Sequence, residues 1–280
     1  MPTNQATKTF GLIEEHEMEI AESSPPFRSV IGFSVTALPF EDQISLMLDW
    51  ARSHYSRVVC IANVHMLVEA YREAGFGAIL KRADLVTPDG MPLVWMLRLL
   101  GVSNQDRVAG LDVLLALCEQ ASVEDISVFF LGSHTAILEK MRIRLETEFP
   151  NLKIAGMEPL PFREITRDED NAITQTLNNS GAGLVFVSLG CPKQEIWMAA
   201  HRDRVRAVMV GLGGAFPVYA GVHKRAPRLI RSLGFEWLYR LIQEPRRLWG
   251  RYSSTIPLFI WLALKQLLTT DRATPTQEMP

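Results

Sequence analysis

Between residues 57 and 213 the chain alternates short runs that are apolar at almost every position with longer stretches whose apolar residues recur every three or four places. RVVCIAN (57–63), SVFFLG (127–132), GLVFVSLG (183–190) and VRAVMVGLG (205–213) are rich in β-branched and aromatic side chains and have no polar face to turn toward water. Such strands need a sheet covered on both faces, and the connections that cover both faces are helical crossovers between parallel strands. The pattern predicts an α/β fold, a mostly parallel sheet flanked by helices. Further strands are expected at SVIGFSVTAL (29–38), DLVTPDG (84–90) and LKIAGM (152–157), and helices over 41–54, 66–74, 92–100, 111–121, 136–149 and 169–179.

The glycine-rich breaks fall at the ends of these strands, in IANVH, TPDGMP, FFLGSHT, VSLGCPKQE and VGLGGAF. In an open α/β sheet the crevice beyond the carboxyl ends of the strands takes the ligand, and helix N-termini there present free amides to phosphate. A phosphorylated, nucleotide-bearing ligand is the class of molecule this pattern suggests.

Composition removes several alternatives. The 280 residues are 48% hydrophobic, with 18 glycines and 3 cysteines, which excludes disorder throughout, a collagen-like fibre and a disulfide scaffold. Cys60, Cys118 and Cys191 form no CxxC pair, so no structural zinc site is expected and a reducing, cytoplasmic setting fits best. The N-terminus lacks the basic and apolar regions of a signal peptide, and no apolar stretch reaches the roughly 18 residues of a spanning helix. Residues 1–28 read as a flexible lead-in, 29–221 as the α/β core, 222–268 as an appendage and 269–280 as a flexible tail.

The near-neutral total, 29 basic against 31 acidic residues, hides an asymmetry. Residues 222–268 carry nine Lys and Arg against Glu236 and Glu244, so an acidic body bears a basic appendage that seeks an anionic partner. Trp237, Trp249 and Trp261 lie there among Arg and Leu, in helix-like segments expected to break at Pro245 and Pro257. Basic helices with aromatic faces suit an anionic membrane surface; the plainer reading is a helical layer docked on the sheet with its charges solvated.

At ADLVTPDGMPLVW, RVAGLD, SLGCPKQEIWM, GLGGAF and RAPRLIRSLGFEWLYRLIQEPRRL the chain resembles the WecG/TagA/CpsF glycosyltransferases, family 26 of that enzyme class, in order from about residue 30 to 260. The resemblance implies a Rossmann-like core with a membrane-engaging C-terminal appendage. It also implies an inverting, metal-independent transferase with no cofactor. Such enzymes move a sugar of the N-acetylmannosamine, N-acetylmannosaminuronic acid or glucose type from a UDP-sugar to a polyprenyl-diphosphate-linked saccharide. They work at the cytoplasmic membrane face in cell-surface polysaccharide synthesis.

The reaction needs a base to take the proton of the attacking hydroxyl and positive groups to carry the charge of the leaving diphosphate. Asp89 in TPDGMP matches the family's proposed base; its plainer role is to cap the helix expected from 92. Arg107 matches a functional family arginine, with a salt bridge to Asp106 or Asp112 as its plainer role. Gln194 in PKQE is placed to donate and accept at the reacting sugar, or simply begins a helix. Asn63 occupies the asparagine of the family's T-x-N strand end, where Ile61 stands in place of the threonine, so that hydroxyl contact is absent. Gly90, Gly132, Gly190, Pro192, Lys193, Glu195 and Gly213 complete the expected substrate loops. Arg225, Arg240, Arg246 and Arg247 match basic positions implied to contact a diphosphate, by bidentate pairing.

Other patterns are set aside. Asp168, Glu169 and Asp170 resemble a metal motif but are explained by the dipole of the helix they open. His201-Arg202-Asp203 lacks the other parts of a kinase site, and GLGGAF lacks the spacing of a dinucleotide fingerprint. His65 reads as a local hydrogen-bonding residue, and Phe162 and Arg163 lie in either a substrate loop or a proline-stiffened connection. The classes left against an enzyme are a peripheral membrane protein with a degenerate UDP pocket, disfavoured by Asp89, Arg107 and Gln194 together, and a nucleic-acid-binding module that would use the basic tail on phosphates in a salt-dependent way, indifferent to UDP. A homo-oligomer is compatible with the sequence, though no periodic seam points to one.

Overall fold

The computed structural model describes residues 25–161 and 163–269. An antiparallel hairpin, β1 (Phe27–Val30) and β2 (Phe33–Thr36), precedes a six-stranded sheet of β3 (Arg57–Ala62), β4 (Leu85–Pro88), β5 (Val128–Gly132), β6 (Ile154–Glu158), β7 (Leu184–Ser188) and β8 (Val208–Gly211). The sheet order is β4-β3-β8-β7-β5-β6, and its pairings are parallel, as the apolar runs require. The Rossmann-like expectation is met.

Successive side chains of each strand enter opposite layers. Val59 and Ile61 of β3, Phe130 of β5 and Phe186 of β7 pack with α1 (Phe40–Arg52), α5 (Gly110–Val123) and α6 (Thr135–Glu148). Val58, Cys60, Phe129 and Val185 face the other layer, built from α2 (Val64–Arg72), α3 (Ala74–Lys81), α4 (Met91–Leu99), α8 (Lys193–His201) and α12 (Pro245–Thr269), with α7 (Arg167–Asn179) contributing Leu177. Phe130 and Phe186 pack with ring centroids 5.2 Å apart, and burying each ring stabilises the fold by up to about 3 kcal/mol. Three short helices, α9 (Ala215–Tyr219), α10 (Arg228–Ser232) and α11 (Glu236–Gln243), lead to α12.

Three elements differ from the sequence expectation. The single strand expected over 29–38 is a hairpin that reverses at Ile31 and Gly32, both at positive φ. An isoleucine in that conformation is not a turn signal, and the turn is held from a distance. Gln266 accepts from the Ile31 backbone N–H (2.7 Å) and donates to the Ser29 carbonyl (2.6 Å). The helix expected to finish at 74 is followed by a second one, α3, whose two glycines disguise it. A Cβ at Gly77 would lie 2.7 Å from the Ala70 carbonyl oxygen, so the glycine that weakens the helical pattern is what lets α2 and α3 approach.

The break expected at Pro257 does not occur: α12 runs through it. Proline removes the bond to the Ser253 carbonyl, but both residues lie on the exposed side of the helix, where the loss costs least. Thr255, Phe259 and Leu262, buried on the opposite side, hold the helix to the body. Pro245 instead opens the helix, where its missing N–H is harmless. The appendage therefore has one face docked on the core, while Trp249, Trp261 and Leu268 remain outside. Among the described residues no helix is long and apolar enough to cross a membrane. Phe27 and Arg28, placed in the lead-in by sequence, belong to β1; residues 1–24, 270–280 and Phe162 lie outside the described residues.

Gly132 ends β5 at φ +93, and a Cβ there would fall 2.6 Å from the Ser188 carbonyl oxygen, which the Ser133 N–H already occupies at 2.9 Å. Gly132→Ala is expected to destabilise the protein by about 1–3 kcal/mol, read as a fall in the urea midpoint at unchanged slope.

Candidate active site

The carboxyl ends of β3, β4, β5, β7 and β8 open on one cleft of about 1030 Å³, closed on its far side by α10, α11 and α12. Helices α2, α4, α5 and α6 all begin at this edge, so their unpaired N–H groups and positive dipole ends point to one place. Asn63, Asp89, Gly90, Arg107, Gly190, Gln194, Gly213, Arg225, Arg240 and Arg247 line the cleft. Gly132, Pro192, Lys193, Glu195 and Arg246 do not. Gly132 supports the loop beneath it, Glu195 is fully buried behind it, and Lys193 and Arg246 are exposed elsewhere.

Asp89 sits between the end of β4 and Gly90, which is the N-cap of α4 at φ +102. The Asp89 N–H donates to the Ala62 carbonyl at 2.7 Å and fixes the turn, while its side chain makes no cap bond to the helix. The capping role weighed for Asp89 is thus not what its carboxylate does. Among the described residues no side chain hydrogen-bonds or ion-pairs with it. Burial raises its pKa from 3.8 to about 6; the charge of Glu236 adds to that shift, and Arg240 and Arg107 oppose it.

Arg107 does pair with Asp112, at 3.4 Å, and not with Asp106, whose carboxylate accepts from the Phe40 N–H. It also pairs with Glu236 of the appendage. Asp112 in turn pairs with Arg225 and lies 3.7 Å from Arg231, and Glu236 lies 3.0 Å from Arg240. Four arginines thus share two carboxylates between core and appendage. Burial would raise the pKa of Glu236, but Arg240 and Arg107 outweigh it and hold the carboxyl below its ordinary value.

Sequence reasoning missed Glu236 and Arg231 as site residues. The available signal was Glu236 itself, one of only two acids in a tract with nine cations. Arg247 pairs with Glu244 at 2.7 Å and leaves the centre of the cluster to the other four.

Gln194 is only 4% exposed. Its Oε1 accepts from Gly190 N–H and Gly213 N–H, both at 3.1 Å, and its Nε2 donates to Glu195 at 2.8 Å. The side chain clamps the loops after β7 and β8. A Cβ at Gly213 would lie 2.7 Å from that Oε1 and 3.1 Å from the Gly190 Cα, so a larger residue there would push the clamp aside. Burial pushes the Glu195 carboxyl up, against the opposing bond from Gln194. Asn63 caps α2 by accepting from Met66 N–H at 3.2 Å, and Ile61 lies beside Gly110, whose Cβ position is 3.7 Å from its methyl. Burial, aided by Arg251, lowers His65 to about 4, so it is neutral at physiological pH.

The acids of 168–170 open α7, with Thr166 and Glu169 forming a reciprocal cap. His201 stacks on Trp197 and faces Asp170 at 2.9 Å, and Arg163 pairs with Glu169, all outside the cleft.

The site places a carboxylate of raised pKa opposite clustered arginines, the pairing needed by a reaction that removes a proton on one side and releases a polyanion on the other. Residues 28–273 match the glycosyl transferase WecG/TagA/CpsF family. An N-acetylglucosaminyldiphosphoundecaprenol N-acetyl-beta-D-mannosaminyltransferase of Bacillus spizizenii (strain ATCC 23059 / NRRL B-14472 / W23) is 33% identical over 74% of this chain and 78% of its own length. Its namesake in Bacillus subtilis (strain 168) is 31% identical over 80% of this chain and 87% of its own.

Because folding leaves Asp89 harder to ionise, its contribution to stability is complete below the ordinary pKa of 3.8 and is lost as pH rises through about 6. Asp89→Asn is expected to be more stable than the parent by about 1–2 kcal/mol near pH 8. The difference should shrink below pH 6 and vanish toward pH 4, as followed by urea unfolding across that range.

Proposed function

The chain belongs to the WecG/TagA/CpsF glycosyltransferase family, and on that premise we propose that it transfers a sugar, with inversion, from a UDP-sugar to a polyprenyl-diphosphate-linked saccharide. The observation that carries the reading is the Asp89 carboxyl, unpaired in the cleft and facing the charges of Arg107 and Arg240. In this reading the acceptor hydroxyl loses its proton to Asp89 as its oxygen attacks the anomeric carbon. The bond from that carbon to the UDP oxygen breaks on the opposite face, and the electron pair leaves with UDP. Arginines of the cluster carry the charge that develops on the diphosphate, so no metal is needed in that role.

Gln194, whose amide is occupied by Gly190, Gly213 and Glu195, acts as a positioning residue for the loops that hold the donor. The relatives' names favour an N-acetylmannosamine donor and an N-acetylglucosamine-diphosphoundecaprenol acceptor within the classes expected above. The cytoplasmic face of the plasma membrane is the proposed place of work. Trp249 and Trp261, exposed beside Arg246 and Lys265, suit contact with an anionic lipid surface.

The test is UDP release from a panel of UDP-sugars, with a synthetic polyprenyl-diphosphate-linked amino sugar and a chelator present. Release with one donor, dependent on acceptor and indifferent to chelator, is expected. kcat/KM should fall about tenfold per pH unit on the acid side of about 6. Asp89→Asn should bind UDP normally and lose about 10²- to 10⁴-fold in kcat; turnover at the parental rate would remove Asp89 as the base. UDP binding with silence across every donor and acceptor would favour the degenerate pocket instead, for which Ile61 is the structural motive.

A further inference from the structure

The cleft does not end at the arginines. Helix α4 begins two residues after Asp89, and the cleft follows it outward as an apolar trough, with Trp95 and Leu99 on one wall and Ile256, Ile260, Leu264 and Leu267 of α12 on the other. The α12 residues recur at spacings of three and four, so they form one stripe of that helix. It runs beside the stripe of Thr255, Phe259 and Leu262 that docks α12 on the core.

From Ile256 to Leu267 the stripe is roughly 17 Å long. Trp95 is 46% exposed, Leu99 67%, Ile260 51% and Leu264 55%, a concentration of open apolar surface that a docked structural layer does not need. At its inner end the trough meets the cluster of Arg107, Arg225, Arg231 and Arg240, in which cations outnumber carboxylates. One continuous cleft therefore offers positive charge at one end and aliphatic surface along the rest. Its complement is a single amphiphile with an anionic head and an extended hydrocarbon chain.

We infer that the trough between α4 and α12 is a binding site for the first isoprene units of a polyprenyl diphosphate, whose diphosphate lies at the arginine cluster. The inference rests on the acceptor class proposed above. It adds that the protein, rather than the bilayer alone, grips the start of the chain. The distance between the acceptor sugar and Asp89 is then set by side-chain contacts, and chains too short to fill the trough bind poorly whatever sugar they carry.

The experiment uses the full chain without lipid. Calorimetry compares inorganic pyrophosphate, dimethylallyl diphosphate and farnesyl diphosphate, the last below its micelle-forming concentration. Filling the trough is expected to lower Kd at least about tenfold from dimethylallyl to farnesyl diphosphate. Ile260→Gln combined with Leu264→Gln should erase that gain, with folding checked by circular dichroism and thermal melting. If the double variant unfolds, Leu99→Gln alone takes its place. Ile143→Gln, on the exposed side of α6, should retain the gain.

Equal Kd values for the three diphosphates, or a folded trough variant that keeps the gain, would overturn the inference. Farnesyl-dependent binding with no transfer from any UDP-sugar would defeat the transferase reading and leave the trough standing. Acceptor-dependent transfer with flat Kd values would do the reverse.

Discussion

Two carboxylates placed among four arginines hold the parts of this protein together. Asp112, on the first turn of α5, belongs to the core, and Glu236, on the first turn of α11, belongs to the appendage; Arg107 touches both. Partly buried ion pairs of this kind are strong only while every partner is in place, because removing one leaves a charge with neither water nor counter-ion. The same cluster therefore fixes where the appendage sits and sets the potential at Asp89. An anionic ligand entering the cleft has to compete with Glu236 and Asp112 for the arginines, so the appendage and the ligand respond to one another through shared cations.

That cluster has its place because of the sheet. Parallel strands put their carboxyl ends on one edge, and every loop on that edge feeds a helix start or a clamp. The Gln194 amide ties the loops after β7 and β8, the Asp89 N–H ties β4 to β3 through Ala62, and the Ser133 N–H ties β5 to β7 through Ser188. These three ties, one from a side chain and two from the backbone, give a rigid rim. Rigidity there keeps the carboxyl close to cations without letting it collapse into an ion pair, and its burial, which the nearby arginines only partly offset, raises its pKa.

How much of this could be read from residues alone follows from the range of each interaction. The parallel sheet was legible because a strand buried on both faces has to be apolar throughout. Asp89 was legible because a Pro and Gly turn after a strand leaves few conformations, and the basic appendage because charge is additive along a sequence. The hairpin at Ile31, the helix at Ala74–Lys81 and the passage of α12 through Pro257 were not. Each is decided by a partner distant in sequence or by packing that overrides local propensity: Gln266 for the hairpin, the approach to Ala70 for the second helix, Phe259 and Leu262 for the third. Gln194 was legible as a residue of the site but not in its role, since nothing in PKQE says that its amide is turned inward to two glycine N–H groups.

The Gln266 contact has a consequence for how the chain is made. The hairpin it pins is the first element described and α12 is the last, separated by more than 230 residues. During synthesis β3 can pair with β4, and β5 with β6, but the two halves of the sheet join only once β7 and β8 have emerged, and the turn at Ile31 acquires its side-chain partner only when α12 has followed. Until then the layer that α12 covers, including Val30, Ile31 and Leu67, is open to water and to other chains. Emergence of α12 and closure of this hydrophobic layer are thus one event, and a chain cut short within α12 would leave the hairpin at Ile31 without its partner as well as the layer uncovered.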